Sequence, residues 1–438
     1  MAKATMGSRP RRRTAEHLMK CQRTYYSEPL TLVRGDGAYV DDDRGRRYLD
    51  FFAGIAVLIV GHGHPKVRAA VHDQVDRLCH TSTLYLTEPM LDLADYIVER
   101  APSGLDTVFF GNSGTEANEV AAVLARHFTK APNFISLSDA YHGRSVWTVG
   151  VSGLSAWRNF GEESSHVAFA PNAYCYRCPL GLKYPSCEIA CAKAVERVIE
   201  TAPAGGVAAL YAETIQGVGG IVTPPPEYYR IVKEILERHG ILFIADEVQT
   251  GWGRLGHNLF GITDWGVTPD IVTSAKGLGN GMPISVVLAR REVSDAYGGP
   301  HINTFGGNPV SARSALATLE VIEEENLIEN AATVGDHLFR ELTSLADKHP
   351  LIGEVRGRGL MIGVELVRDR ATKAPAPEAA EQVLQACKDG GLLVGRGGAY
   401  ANTLRIQPPL CITKAQADEA VRIINGALTV ARAKYATV

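Results

Sequence analysis

The stretch Ile271-Val272-Thr273-Ser274-Ala275-Lys276-Gly277-Leu278-Gly279-Asn280-Gly281-Met282-Pro283 decides the fold. A short β-prone run delivers one lysine, and a glycine-rich loop follows at once. Upstream, Leu242-Phe243-Ile244-Ala245-Asp246-Glu247-Val248-Gln249-Thr250-Gly251 delivers an acid from the end of a second apolar run. Further runs of this kind lie at residues 107–110, 133–137, 166–170, 207–212 and 285–289. Several are continuously apolar rather than alternating, the pattern of strands buried on both faces of a mostly parallel sheet. Helical patterns at 115–129, 188–201 and 226–239 separate them. The expectation is an α/β protein with a mostly parallel seven-stranded sheet and helices on both faces. Ligands of such sheets collect at the carboxyl ends of the strands, where Lys276 and Asp246 stand.

After about residue 310 the pattern changes. A long helix is expected at 309–325, a β-prone segment at 360–366, strands near 390–394 and 403–406, and a closing helix at 415–435. The chain therefore reads as a large ligand-binding domain at 66–310 and a smaller α+β domain at 311–438. Residues 1–65 form an N-terminal segment joining the small domain.

The 438 residues suffice for a large core, and 45% apolar with 21% charged residues is ordinary soluble usage. A formal net charge of −3 gives no electrostatic case for nucleic acid or an anionic membrane. No apolar run approaches a bilayer span. The basic run Arg9-Pro10-Arg11-Arg12-Arg13 reads as an unstructured tail, with a mitochondrial presequence as the alternative, and the protein is read as cytoplasmic. Eight cysteines do not make a secreted scaffold, but four cluster as Cys175-x2-Cys178-x8-Cys187-x3-Cys191. That spacing can serve zinc or iron–sulfur. Because the second pair is not a clean CxxC, a metal-free loop of thiols is expected.

Other strand ends carry useful chemistry. Phe110-Gly111-Asn112-Ser113-Gly114-Thr115-Glu116-Ala117 joins a strand to a helix, whose first N–H groups and positive dipole end suit an anion. An ordinary helix cap by Ser113 is the competing reading, and both can hold together. Asp139-Ala140-Tyr141-His142-Gly143-Arg144-Ser145 supplies an aromatic that can stack on a flat ring and an arginine that can take a carboxylate. Tyr211-Ala212-Glu213 ends another strand with an acid, and Thr403-Leu404-Arg405-Ile406-Gln407-Pro408 sets an arginine in an apolar strand. A charge there is costly unless paired, and arginine suits two-point carboxylate recognition. A lysine and an acid at adjacent strand ends suit pyridoxal 5'-phosphate, which needs a lysine amine at its aldehyde and an acid against its ring nitrogen.

In this light the chain resembles the class III aminotransferases, the ω- or 4-aminobutyrate-type group, from about Tyr39 to the last helix. The resemblance rests on Phe52-Ala53-Gly54-Ile55-Ala56-Val57, Gly61-His62-Gly63-His64-Pro65, Asn112 to Glu119, Tyr141-His142-Gly143-Arg144, Ala245 to Gly251, Ala275-Lys276-Gly277 and Thr304-Phe305-Gly306-Gly307-Asn308-Pro309, in that order. It implies a fold type I transferase using pyridoxal 5'-phosphate. Lys276 would carry the cofactor, Asp246 would pair with its ring nitrogen, and Gln249 would approach its ring hydroxyl. Ser113, Gly114 and Thr115 would hold the phosphate, Tyr141 and His142 would sit against the ring, and Thr304 would reach the neighbouring subunit's phosphate. Arg405, Arg144, Glu213 and Ile55 would face substrate, Arg405 taking an α-carboxylate and Glu213 neutralising it when the substrate lacks one.

Within the group the chain is most similar to alanine–glyoxylate aminotransferases that also use β-alanine or 3-aminoisobutyrate. His80-Thr81-Ser82-Thr83, Gly359 to Gly363, Gly391 to Gly397 and Cys411-Ile412-Thr413-Lys414 support this. Arg144 departs from animal members of that subgroup and matches 4-aminobutyrate enzymes, where it serves the distal carboxylate. The resemblance therefore implies transamination by a ping-pong course. The donor would be of alanine, β-alanine, 3-aminoisobutyrate or 4-aminobutyrate type, and the acceptor glyoxylate, pyruvate or 2-oxoglutarate. It also implies a homodimer with shared sites, or a tetramer. A racemase or decarboxylase of the same fold is the alternative. A binding protein without turnover is disfavoured by the set Lys276, Asp246, Glu213 and Arg405. No metal is assigned.

Overall fold

Alternate residues of the central strands enter two different cores, which is why their sequences are apolar without a break. Along Leu242–Asp246, Phe243 and Ala245 join one core and Ile244 the other. Phe243 and Ile244, fully enclosed, each contribute about 1.5–3 kcal/mol of burial. The computed structural model describes residues 17–158 and 166–435. The basic run near the N-terminus lies outside the described residues.

The large sheet has seven strands: β1 (Thr107–Gly111), β2 (Asn133–Leu137), β3 (Val167–Ala170), β4 (Val207–Glu213), β5 (Leu242–Asp246), β6 (Ile271–Ser274) and β7 (Ser285–Ala289). Their order is β1-β7-β6-β5-β4-β2-β3. Strands β2 to β6 pair in parallel, and β7 runs antiparallel to both β1 and β6. The register aligns Glu213 with Asp246 and Asp246 with Thr273, so the acids of β4 and β5 end level with each other, and Lys276 follows just beyond.

Helix α1 (Gly114–Thr129) buries Ala117, Ala121, Leu124 and Ala125 in one core. Helices Ala190–Glu200, Tyr228–Arg238 and Pro309–Glu324 bury Val195, Leu236 and Leu319 in the other. Sheet and helices thus form the layered α/β arrangement that the sequence implies.

The N-terminal segment folds into strands Leu32–Asp36, Tyr39–Asp42 and Arg47–Asp50, which the sequence pattern does not reveal. The last of these pairs in parallel with Leu392–Leu393, tying the two ends of the chain together. The C-terminal region carries β8 (Ile352–Arg358), β9 (Met361–Asp369), β10 (Gly395–Gly397) and β11 (Thr403–Ile406), in the order β8-β9-β11-β10. Lys414–Tyr435 closes it as a helix. Strand β8 escapes sequence reading because Glu354 and Arg356 interrupt it. The Arg356 guanidinium pairs with the fully buried Glu365 at 2.6 Å, and breaking such a pair typically costs about 3–5 kcal/mol. Among the described residues, no helix is long and apolar enough to cross a membrane.

Candidate active site

A cavity of about 280 Å³ opens where the carboxyl ends of β2, β4, β5 and β6 meet the start of α1. Lys276, Asp246, Glu213, Tyr141 and Gln249 all line it, as do Ser113, Gly114, Thr115 and His142. Most of the candidate residues at the strand ends therefore surround one volume.

Lys276 leaves β6 in the left-handed region, with φ of 41°. A non-glycine residue there is strained by roughly 1–2 kcal/mol and persists only where its surroundings fix it. The fixing groups are visible. Asn280 Oδ1 accepts from Val60 N at 3.1 Å, and its Nδ2 donates to Gly61 O at 3.0 Å. Ser314 Oγ donates to Gly279 O at 2.9 Å. A Cβ on Gly277 would come within 2.9 Å of Ile59, so the loop is also pressed on the N-terminal segment. Burial pushes the Lys276 amine down to about 8, against the opposing pull of the Asp246 charge. Near neutral pH a useful fraction is therefore free base.

Asp246 lies on the cavity floor with both oxygens held. Its Oδ2 accepts from Asn118 Nδ2 at 2.9 Å and lies 2.7 Å from His142 Nδ1, and its Oδ1 accepts from Val248 N at 3.0 Å. Thr273 Oγ1 donates to Asn118 Oδ1 at 2.7 Å, which turns the Asn118 amide nitrogen toward Asp246. These contacts fix the orientation of the carboxylate. Asn118 lies in the Asn112–Glu119 segment, but the sequence pattern suggests no role for it. The available signal is a polar residue on the buried face of α1, where an amide must find partners.

The start of α1 forms one side of the cavity. Ser113 Oγ caps the helix by accepting from Glu116 N at 3.2 Å, so capping does occur, and the first-turn N–H groups point outward from the helix end. Gly143 must be glycine here: a Cβ would meet Thr148 Oγ1 at 2.5 Å and Thr115 Oγ1 at 2.6 Å. Tyr141 is half-buried, its ring held edge-on to Trp157 at 5.1 Å.

The acid and the arginine expected to act together are not in contact. Glu213 accepts from Tyr141 N through Oε1 and from Gly217 N through Oε2, both at 2.8 Å. Burial pushes its carboxyl up to about 7. Arg405, only 3% exposed, sits behind Gln249 and donates through one terminal nitrogen to Gln249 Oε1 at 2.8 Å and Gln407 Oε1 at 3.0 Å. Its Nε is buried without a partner. Burial lowers its proton affinity from the usual arginine range.

Besides Arg405, three candidates stand apart from the cavity walls. Arg144 is exposed, its backbone N–H donating to Thr115 Oγ1 at 3.3 Å. Ile55 is 45% exposed, and Val57 lines the cavity instead. Thr304 is exposed beside Phe305.

The cysteine cluster lies elsewhere. Cys175, Cys178, Cys187 and Cys191 line one small cavity with Leu180, Tyr184 and Pro225. All four are free thiols, and burial pushes Cys175 and Cys191 up to about 11. Among the described residues, no three His, Cys, Asp or Glu side chains converge as a metal-holding group.

The family model Aminotransferase class-III matches residues 21–428. Alanine–glyoxylate aminotransferase 2 homolog 2, mitochondrial, of Arabidopsis thaliana is 44% identical over 405 residues, spanning 91% of this chain and 83% of its own length. The leucine/methionine racemase of Thermococcus litoralis is 41% identical over 416 residues, spanning 93% and 92%. Among solved structures, a thermostable (S)-enantioselective ω-transaminase from Thermomicrobium roseum superposes with a TM-score of 0.89 at 34% identity, covering 95% of this chain and 97% of that one.

Proposed function

The chain belongs to the class-III aminotransferase family and carries out pyridoxal phosphate-dependent transamination; on that premise we propose that its substrates are amino and 2-oxo acids bound through a carboxylate. Alanine, or a close homologue such as β-alanine, would give its amino group to glyoxylate or pyruvate. The observation that carries this reading is Arg405, buried behind the Gln249 wall with a free Nε. A buried guanidinium with spare donors is costly alone and is repaid by a carboxylate.

The side chains present fit the cofactor. An enclosed amine of lowered proton affinity, a donor-fed carboxylate, a helix start and an aromatic ring match an aldehyde, a ring nitrogen, a phosphate and a ring face. When bound, pyridoxal phosphate supplies the electron sink for breaking the substrate's Cα–H bond. The Lys276 amine would hold the cofactor and, once released, move the Cα proton at Nζ. Asp246, oriented by His142 and Asn118, would keep a proton on the ring nitrogen. The N–H and hydroxyl groups of Ser113, Gly114 and Thr115 would face the phosphate at the positive helix end. Tyr141 would cover the ring.

Glu213 holds two backbone N–H groups and stands near half-protonation at neutral pH, so it is a weak permanent counter-ion for Arg405. Gln249 and Gln407 supply the contacts instead. This favours Arg405 as a standing carboxylate receptor over a pair that switches with substrate. Arg405→Leu is expected to lower kcat/KM for L-alanine by roughly 100-fold, the scale of a lost charged hydrogen-bond pair. With an amine lacking a carboxylate the loss should be only a few-fold. Equal losses for both donors would show that Arg405 is structural.

We also propose a homodimer. Leu84, Tyr85, Leu86, Ile302 and Phe305 are 66%, 68%, 74%, 64% and 59% exposed, and His80 packs 5.1 Å from Phe305 in the same patch as Thr304. An apolar surface of this kind beside a site marks a contact with another chain. Sedimentation should return twice the 47.2 kDa chain mass, and a concentration-independent single-chain mass would exclude the dimer. The proposed location is the cytoplasm, on ordinary soluble composition. The mitochondrial name of the plant relative supplies the competing outcome, decided by where a tagged chain fractionates.

A further inference from the structure

We propose that Gln407 is a positioning residue that fixes the Gln249 amide and the Arg405 guanidinium in one arrangement, leaving Gln249 able only to donate into the cavity. This rests on the reading of Arg405 as the carboxylate receptor.

Arg405 and Gln407 are two residues apart along a strand and its extension, so they project to the same side. Gln407 is fully buried, and its backbone N–H donates to Phe51 O at 2.8 Å. Pro408 follows directly, so the residue has little freedom. Its side chain closes a triangle. Gln407 Nε2 donates to Gln249 Oε1 at 3.2 Å, Arg405 donates to that same oxygen at 2.8 Å, and Gln407 Oε1 accepts from Arg405 at 3.0 Å.

Two donors therefore converge on Gln249 Oε1 and occupy both its lone pairs. A reversed amide would set its NH2 against both of them. Gly217 closes another side, since a Cβ there would come within 2.5 Å of the Gln249 amide. The Nε2 end is the part of Gln249 left uncommitted, and Gln249 lines the cavity beside Lys276 and Asp246. It is thereby set as a donor to an anionic oxygen in the cavity. Gln407 gives Arg405 an uncharged acceptor, which steadies the guanidinium without neutralising it and leaves its charge for the substrate.

The test uses Gln407→Glu and Gln407→Met in the holoenzyme. In Gln407→Glu the introduced carboxylate draws the Gln249 NH2 toward itself and pairs with Arg405. The pH midpoint of the cofactor's visible absorbance should then rise by about one unit, because a donor to the anionic form is lost. Binding of propionate, a non-reactive carboxylate, should weaken about tenfold or more. Gln407→Met keeps the volume but neither hydrogen bond. It should weaken propionate severalfold, with a melting temperature of the cofactor-free protein close to the parent's. Should Gln407→Glu fail to fold, Gln407→Met carries the test. Parent midpoint and parent propionate affinity in the folded variants would overturn the inference. If Arg405→Leu still loses L-alanine in that case, the reading of Arg405 stands. If Arg405→Leu leaves L-alanine unaffected, that reading itself has failed.

Discussion

Lys276→Ala is expected to fold, to gain no visible absorbance when pyridoxal phosphate is added, and to lose turnover by roughly ten-thousandfold or more. The side chain is the amine of the cavity, delivered by β6 and held in the left-handed region by Asn280, Gly277 and Ser314 contacts around it. Truncation removes both the attachment point and the group placed to move a proton. The parent offers a companion readout. Only the free amine attacks an aldehyde, and burial holds this one near 8 rather than the ordinary 10.5. Cofactor capture by the cofactor-free protein should therefore quicken with rising pH, reach half its limit near about 8, and level off above. A rate still climbing at pH 10, or undiminished activity in Lys276→Ala, would remove Lys276 from this role.

Asp246→Asn should retain the cofactor yet lose roughly 100- to 1000-fold in rate, the scale of removing one preorganised electrostatic partner. The substitution leaves the helix start and Tyr141 in place, so the phosphate and ring face keep their contacts. It replaces an oxygen with an amide nitrogen at a position fed by donors from Asn118, His142 and Val248. At least one of those bonds must be given up, and the negative charge goes with it. Absorbance should show a loaded enzyme that turns over slowly. A rate within a few-fold of the parent would mean that Asp246 does not hold the ring nitrogen's proton.

The large sheet is legible in the sequence because its five inner strands are buried on both faces. Runs 133–137, 271–274 and 285–289 coincide with the strands to the residue. The antiparallel direction of Ser285–Ala289 is not legible, since direction depends on how the connection returns rather than on side-chain pattern. Strand β8 was hidden by Glu354 and Arg356, whose charges are tolerable because they pair with each other and Arg356 also pairs with Glu365.

The site divides in the same way. Lys276, Asp246, Glu213, Tyr141 and Ser113 are readable because strand ends and a helix start converge by topology. Which side chain meets which is set by rotamers and local contacts. The sequence therefore suggests a Glu213–Arg405 pair, whereas the structure gives Arg405 to Gln249 and Gln407. Gln407 stood two residues from Arg405, on the same side of strand β11 and its extension, and that spacing was the signal that could have found it.

Transamination of a carboxylate-bearing donor is decided by a single half-reaction. L-Alanine is mixed with the loaded enzyme in the absence of any 2-oxo acid, and pyruvate and D-alanine are both measured. The expected result is about one pyruvate per site, loss of the resting visible band, and then arrest, with glyoxylate restoring the band and releasing glycine. Continuous formation of D-alanine without stoichiometric pyruvate, and with no response to glyoxylate, would contradict it.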